Sequence, residues 1–165
     1  MDMLQLQAFT EADRDPAVAI LMDSRINKTY MLPDFENETQ AETLFRRLMT
    51  LSLDENRFVR GMYVEGKLVG FLNDVEMKDG TIELGYVVAS EQWGKGYATQ
   101  ALGLAIEELF SRGFREVICG AFVENPASLR VMEKCGMQLL EKTDEIEYRG
   151  NLHLCRYRSI QRYPL

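Results

Sequence analysis

Three groups of residues in this chain have the types and spacing that chemistry needs. Glu83 lies inside the apolar run Thr81-Ile82-Glu83-Leu84-Gly85-Tyr86-Val87-Val88. A carboxylate held among apolar neighbours resists ionisation, which suits a group that takes up protons near neutral pH. Shortly after it comes Trp93-Gly94-Lys95-Gly96-Tyr97-Ala98-Thr99, two glycines at the entrance to a helical pattern. Glycines that lead a strand into a helix N-terminus leave several backbone N–H groups unpaired and aimed together, and the helix dipole adds partial positive charge, so such a place seats a phosphate. Asn125 and Ser128 are the third group, an amide and a hydroxyl three residues apart where another helix begins. The plain alternative for these two is an N-cap and an ordinary first-turn serine.

The loop spacing excludes two common nucleotide sites. A P-loop needs G-x-x-x-x-G-K-[ST], whereas Lys95 stands between the glycines. A dinucleotide fingerprint needs a third glycine where Thr99 stands, and a parallel βαβ setting.

The elements that must hold these groups follow from periodicity. Alternation of Leu4, Leu6 and Ala8 with Gln5 and Gln7 predicts a strand over about 3–9. Asp15 before Pro16 reads as an N-cap opening a short helix. Residues 23–36, with Tyr30 and Phe35 around Pro33, read as an ordered loop. Thr39-Gln40-Ala41-Glu42 has the pattern of a capping box for a helix over about 39–53. Three strands then form an antiparallel meander, 58–64, 68–77 and 81–88, turning at Glu65-Gly66 and Asp79-Gly80; the second is a type I′ hairpin signal. A helix over 97–112, a buried strand 116–122, a helix opening at Asn125-Pro126 and a final hairpin, 137–147 and 151–159, complete the order βααβββαβαββ. That is an α+β fold: a mixed, mostly antiparallel sheet flanked by about four helices, in a single domain over 1–165.

Composition narrows the function. The chain has 165 residues, 46% hydrophobic and 27% charged, as a folded globular domain does. Its net charge of −7 and lack of a Lys/Arg run argue against nucleic acid, and mildly favour a cationic substrate. Cys119, Cys135 and Cys155 are widely spaced and accompany one histidine, His153, so neither a zinc site nor a disulfide framework is expected. No run approaches the roughly 20 apolar residues of a membrane span, and the N-terminus does not read as a signal peptide, so a cytoplasmic location is expected.

Trp93-Gly94-Lys95-Gly96-Tyr97-Ala98 resembles motif A of the GNAT N-acetyltransferase superfamily, Gln/Arg-x-x-G-x-Gly/Ala, and the stretch from Asn125 to Met137 resembles the N-x-x-S-x-R-V-x-E-K-x-G segment of its RimJ/RimL-like branch. The resemblance extends through the element order over the whole chain. It implies an α/β GNAT fold and acetyl-CoA as the cofactor, with its pyrophosphate on Trp93, Gly94, Lys95, Gly96, Tyr97, Ala98 and Thr99. It further implies that Val87 or Val88 offers a backbone N–H to the oxyanion, and that Asn125 and Ser128 lie beside the pantetheine and thioester sulfur.

Glu83 is then the candidate base and Ser128 a candidate acid, with an exposed strand glutamate and a solvent proton donor as the alternatives. Two positions depart from the family pattern. Trp93 replaces Gln or Arg, and Met132 stands where many relatives place an acidic tyrosine, so no tyrosine acid is carried over. The implied activity is N-acetylation of a primary amine, either a protein N-terminus or a small amine or polyamine. The amine would be recognised by Tyr30 and Phe35 of the 23–36 loop and by the hairpin around Tyr148 and Arg149. A peptide or small-molecule amine is the expected partner, with no nucleic acid and no membrane, and with a homodimer left open. The competing class is a non-catalytic acyl-CoA-binding or regulatory domain, motivated by Met132.

Overall fold

A computed structural model describes residues 3–28 and 30–163. Among them run β1 (Leu4–Gln7), α1 (Arg14–Leu21), α2 (Ser24–Asn27), α3 (Glu38–Ser52), β2 (Val59–Val64), β3 (Lys67–Lys78), β4 (Thr81–Val88), α4 (Tyr97–Ser111), β5 (Glu116–Phe122), α5 (Pro126–Lys134), β6 (Gln138–Tyr148) and β7 (Asn151–Gln161). The strands form a mixed sheet in the order β1-β2-β3-β4-β5-β7-β6. The chain divides into two compact units, Met1–Asn73 with Tyr86–Ala101, and Asp74–Gly85 with Leu102–Leu165, so β3, β4 and α4 each begin in one unit and end in the other.

In the first unit β1 pairs antiparallel with β2, and β2 with β3. Helices α1 and α3 bring Val18, Leu21, Ala41 and Phe45 against Phe9, Val59, Phe71 and Val87 in one buried cluster. Phe9 meets Phe45 and Phe71 edge-on at centroid distances of 5.8 and 6.1 Å, a geometry that adds to simple area burial.

In the second unit β4 and β5 pair parallel, in register from Thr81↔Glu116 to Leu84↔Cys119, and the long crossover such a pairing needs is supplied by α4. β7 lies antiparallel between β5 and β6. Phe122 of β5 forms a buried cluster with Tyr148, Cys155 and Tyr157 of this hairpin, with Ile118, Leu140 and Ile146 packed on it. All three hairpin turns use a left-handed residue before a glycine: Glu65-Gly66, Asp79-Gly80 and Arg149-Gly150. Glu65 and Arg149 accept a conformation uncommon for non-glycine residues because it matches the twist of the strands they join.

The sequence expectations differ from this fold at three starts. The 23–36 stretch contains α2, a single turn capped by Asp23, whose Oδ1 accepts from the Arg25 N–H at 2.8 Å, so the described residues form five α-helices where about four were expected. Helix α3 is capped by Asn37, with Oδ1 accepting from the Gln40 N–H at 3.1 Å, while Gln40 Oε1 accepts from the Glu36 N–H at 2.8 Å. Thr39 and Glu42 are therefore inside the helix, and Glu42 bonds Arg14 Nε at 2.7 Å instead of closing a box. Asp15 is likewise inside α1, because a 3₁₀ turn, Glu11–Asp13, runs directly into it. Asp13 holds that turn, its Oδ2 accepting from the Thr10 N–H at 2.8 Å and the Tyr63 hydroxyl at 2.5 Å.

Candidate active site

The two glycines between β4 and α4 set the shape of the loop. Gly94 and Gly96 both have φ of +81°, and nothing lies within 4 Å of where a Cβ on either would be. Their need for glycine is conformational rather than steric, and the backbone they expose faces open space. The Gln100 N–H bonds Gly96 O at 3.1 Å, the start of the α4 ladder, so the amides at that end belong to the turn that has no i−4 carbonyl to bond. Tyr97 is buried, whereas Ala98 and Thr99 are half-buried. Trp93 is 53% exposed, yet its indole N–H donates to Val88 O at 2.8 Å, which ties the loop to the end of β4. Lys95 Nζ donates to Gln92 Oε1 at 2.9 Å, along the loop's outer edge.

The strand leading into this loop ends on one informative bond. Ala89 N–H donates to Val69 O on β3 at 2.8 Å. Backbone amides alternate sides along a strand, so the Val88 N–H is directed away from β3. Val87 turns into the first unit's core.

Glu83 stands at the other end of the strand, in the second unit. Burial alternates from Thr81 to Tyr86 as expected, with Ile82 and Leu84 fully buried and Glu83 half-buried. Burial pushes its carboxyl above the ordinary value; Lys142 opposes this, and Glu76 and Asp144 add to it. Asp144 accepts a hydrogen bond from the Tyr157 hydroxyl at 2.8 Å, and Lys142 Nζ lies 4.6 Å from the centre of the Tyr157 ring.

Asn125 caps α5, with Oδ1 accepting from the Ser128 N–H at 3.2 Å and Pro126 in the first turn. Both side chains are half-buried at the helix mouth. Met132, on the same helix, is fully buried. It fills core volume and carries no proton to give.

The remaining expected residues are distributed as follows. Tyr30 is half-buried with its hydroxyl on Asn73 Oδ1 at 3.0 Å, and burial pushes its phenol up. Phe35 packs against the first unit's core. Tyr148 is buried, its ring 6.0 Å from Phe122 and capped by the Arg149 guanidinium at 5.2 Å, so it is a structural member of the hairpin cluster. His153 stacks on Phe122 at 4.5 Å with Nδ1 3.1 Å from Glu124 Oε1, on β7 between β5 and β6. Burial pushes the Cys119, Cys135 and Cys155 thiols up, so all three are poor nucleophiles. Sequence reasoning missed Asn73, Asp23 and Ser90 as partners of these segments. Only Asp23 carried a signal, an acidic residue before Ser24 at a helix start.

Residues 3–138 match the model of the acetyltransferase (GNAT) domain. The chain belongs to the GNAT acetyltransferase family. Within it, the chain is 24% identical over 142 residues to an uncharacterized N-acetyltransferase, YoaA, of Bacillus subtilis, covering 83% of this chain and 80% of the relative. Two solved GNAT structures share the fold. A spermidine N-acetyltransferase from Vibrio cholerae, in complex with CoA and spermine, aligns with a TM-score of 0.81 at 19% identity, over 96% of this chain and 95% of that one. RimL, a ribosomal L7/L12 α-N-protein acetyltransferase in complex with CoA, aligns at 0.82 and 15% identity, over 96% and 93%. GNAT acetyltransferases use acetyl-CoA. The loop here fits its pyrophosphate, because two left-handed glycines with open space above them adjoin a helix N-terminus.

Proposed function

We propose that this GNAT enzyme moves the acetyl group of acetyl-CoA directly to a primary amine, either a protein N-terminal amine or a small amine such as a polyamine. The observation that carries this is the Gly94/Gly96 loop at the head of α4, a backbone anion seat one turn beyond a strand whose last amide is turned off its neighbour. Acetyl-CoA supplies an acyl carbon already activated as a thioester.

The chain's residues do the rest. Amides of residues 94–99 hold the pyrophosphate, with Lys95 at the rim. The Val88 N–H, free of β3 by alternation, is the better of the two candidate donors to developing negative charge on the acetyl oxygen. An amine with a pKa near 10 arrives protonated, and Glu83 is the group to take that proton. Its burial supports this, since a carboxylate raised above its ordinary value holds a proton more readily near neutral pH. Ser128, at the mouth of α5 beside its cap Asn125, is the candidate donor to the leaving sulfur. Tyr30 and Phe35 are proposed as the amine's wall in the first unit.

The test is incubation with acetyl-CoA and a panel of spermidine, spermine and N-terminal peptides, with released thiol as the readout. Thiol release above background hydrolysis with at least one amine is expected. Binding of coenzyme A, seen as a raised melting temperature, with no release for any amine would favour the non-catalytic reading instead.

A further inference from the structure

Asp23 joins two segments that are distant in sequence. Its side chain is only 14% exposed, and a buried carboxylate needs partners for both oxygens. Oδ1 takes the Arg25 N–H at 2.8 Å and so fixes the first turn of α2. Oδ2 takes the hydroxyl of Ser90, a buried serine between β4 and the glycine loop.

Each end of this bond is anchored further. On one side, Asp23 O accepts from the Ile26 and Asn27 amides at 3.1 and 3.0 Å, and Ile26 O accepts from the Tyr30 amide at 2.9 Å. On the other, Ser90 O accepts from the Trp93 amide at 3.3 Å, Ala89 O from the Gln92 amide at 2.8 Å, and the Trp93 indole returns to Val88 O. A continuous set of hydrogen bonds therefore runs from Tyr30 through α2, Asp23 and Ser90 to the residue before Gly94. Burial pushes the Asp23 carboxyl up, but the Ser90 hydroxyl and the Arg25 amide and charge outweigh it, so the group stays ionised and its bonds are charge-assisted.

We infer that Asp23 and Ser90 are positioning residues that couple the glycine loop to α2 and Tyr30, so that coenzyme A on the loop tightens the segment proposed to receive the amine. The inference rests on the reading of the loop as the coenzyme A seat. Occupation of the seat restrains residues 94–99, Ser90 is held to them through Trp93, and Asp23 transmits the restraint to the cap of α2. By linkage, the amine bound at Tyr30 strengthens coenzyme A binding by the same factor.

Hydrogen exchange of the whole chain, with and without saturating coenzyme A, tests this. In the wild type, coenzyme A should slow exchange of amides 25–28 and 30–32 by about fivefold or more, within the usual range of coupling between sites. Ser90→Ala should bind coenzyme A nearly as well, judged by its melting shift, yet slow those amides less than twofold. Ser90→Thr, which keeps a hydroxyl, should restore the effect. Asp23→Asn keeps a good N-cap with a neutral bond to Ser90; it should weaken the coupling without melting α2, and serves if Ser90→Ala does not fold. Undiminished protection of α2 in both variants, or none in a wild type that binds coenzyme A, overturns the inference. Failure of coenzyme A to raise the melting temperature or to protect residues 94–99 removes the seat itself, and the coupling with it.

Discussion

At the scale of single residues, the proposed base is Glu83. Glu83→Gln keeps the shape and removes the proposed base, so turnover should fall by about a hundredfold with coenzyme A affinity preserved, measured as kcat beside a binding isotherm. The acid limb of the wild-type pH profile should lie above the range of an ordinary carboxylate and disappear in the variant. Stability carries the opposite sign. The folded pKa of Glu83 exceeds its unfolded value of about 4.3. Its favourable contribution is therefore full below that value and is lost as pH rises through the folded one. Glu83→Gln should accordingly melt higher than wild type at pH 7 and equally at pH 3, which scanning calorimetry at the two pH values checks.

At the scale of elements, the loop and the cap of α5 are the two proposed cofactor contacts, and each can be tested by itself. Gly96→Ala forces a left-handed residue, at a cost of about 1–2 kcal/mol. If the loop keeps its shape, the melting temperature falls. If the loop relaxes, binding must restore the shape, and coenzyme A affinity drops by about tenfold per 1.4 kcal/mol. Calorimetry and titration together should account for that cost. Asn125→Ala removes an N-cap and should cost about 1 kcal/mol in chemical denaturation. Asn125→Asp keeps the cap but removes the amide's N–H donors, so a loss of turnover without loss of stability would assign Asn125 a contact with the cofactor.

Charge acts at the scale of the whole molecule. With a net charge of −7, the chain should draw polycations more than singly charged amines. Raising ionic strength from about 0.01 to 0.15 M, where screening shortens to about 8 Å, should raise KM for spermine more than for an N-terminal peptide without other charges. Equal salt dependence for both would limit the acidic surface to solubility.

The sequence alone determined the order of the strands and of every helix but α2, the hairpin turns and the left-handed glycines of the loop, because each depends on local rules. Asp79-Gly80 and Gly94/Gly96 require φ values that neighbouring residues cannot override, and the alternation around Glu83 follows from the pleat. Helix starts were legible only where no rival existed. Asn125 before Pro126 stood alone at α5, whereas Asn37 competed with Thr39 two residues on and took the cap at α3. Distant chain decided the rest. Glu42 went to Arg14, Tyr148 was buried against Phe122, and Asp23 found Ser90 across 67 residues of sequence. No periodicity encodes such partners, since a carboxylate is satisfied by whichever donor the fold brings within about 3 Å, and only the tertiary structure determines which one that is.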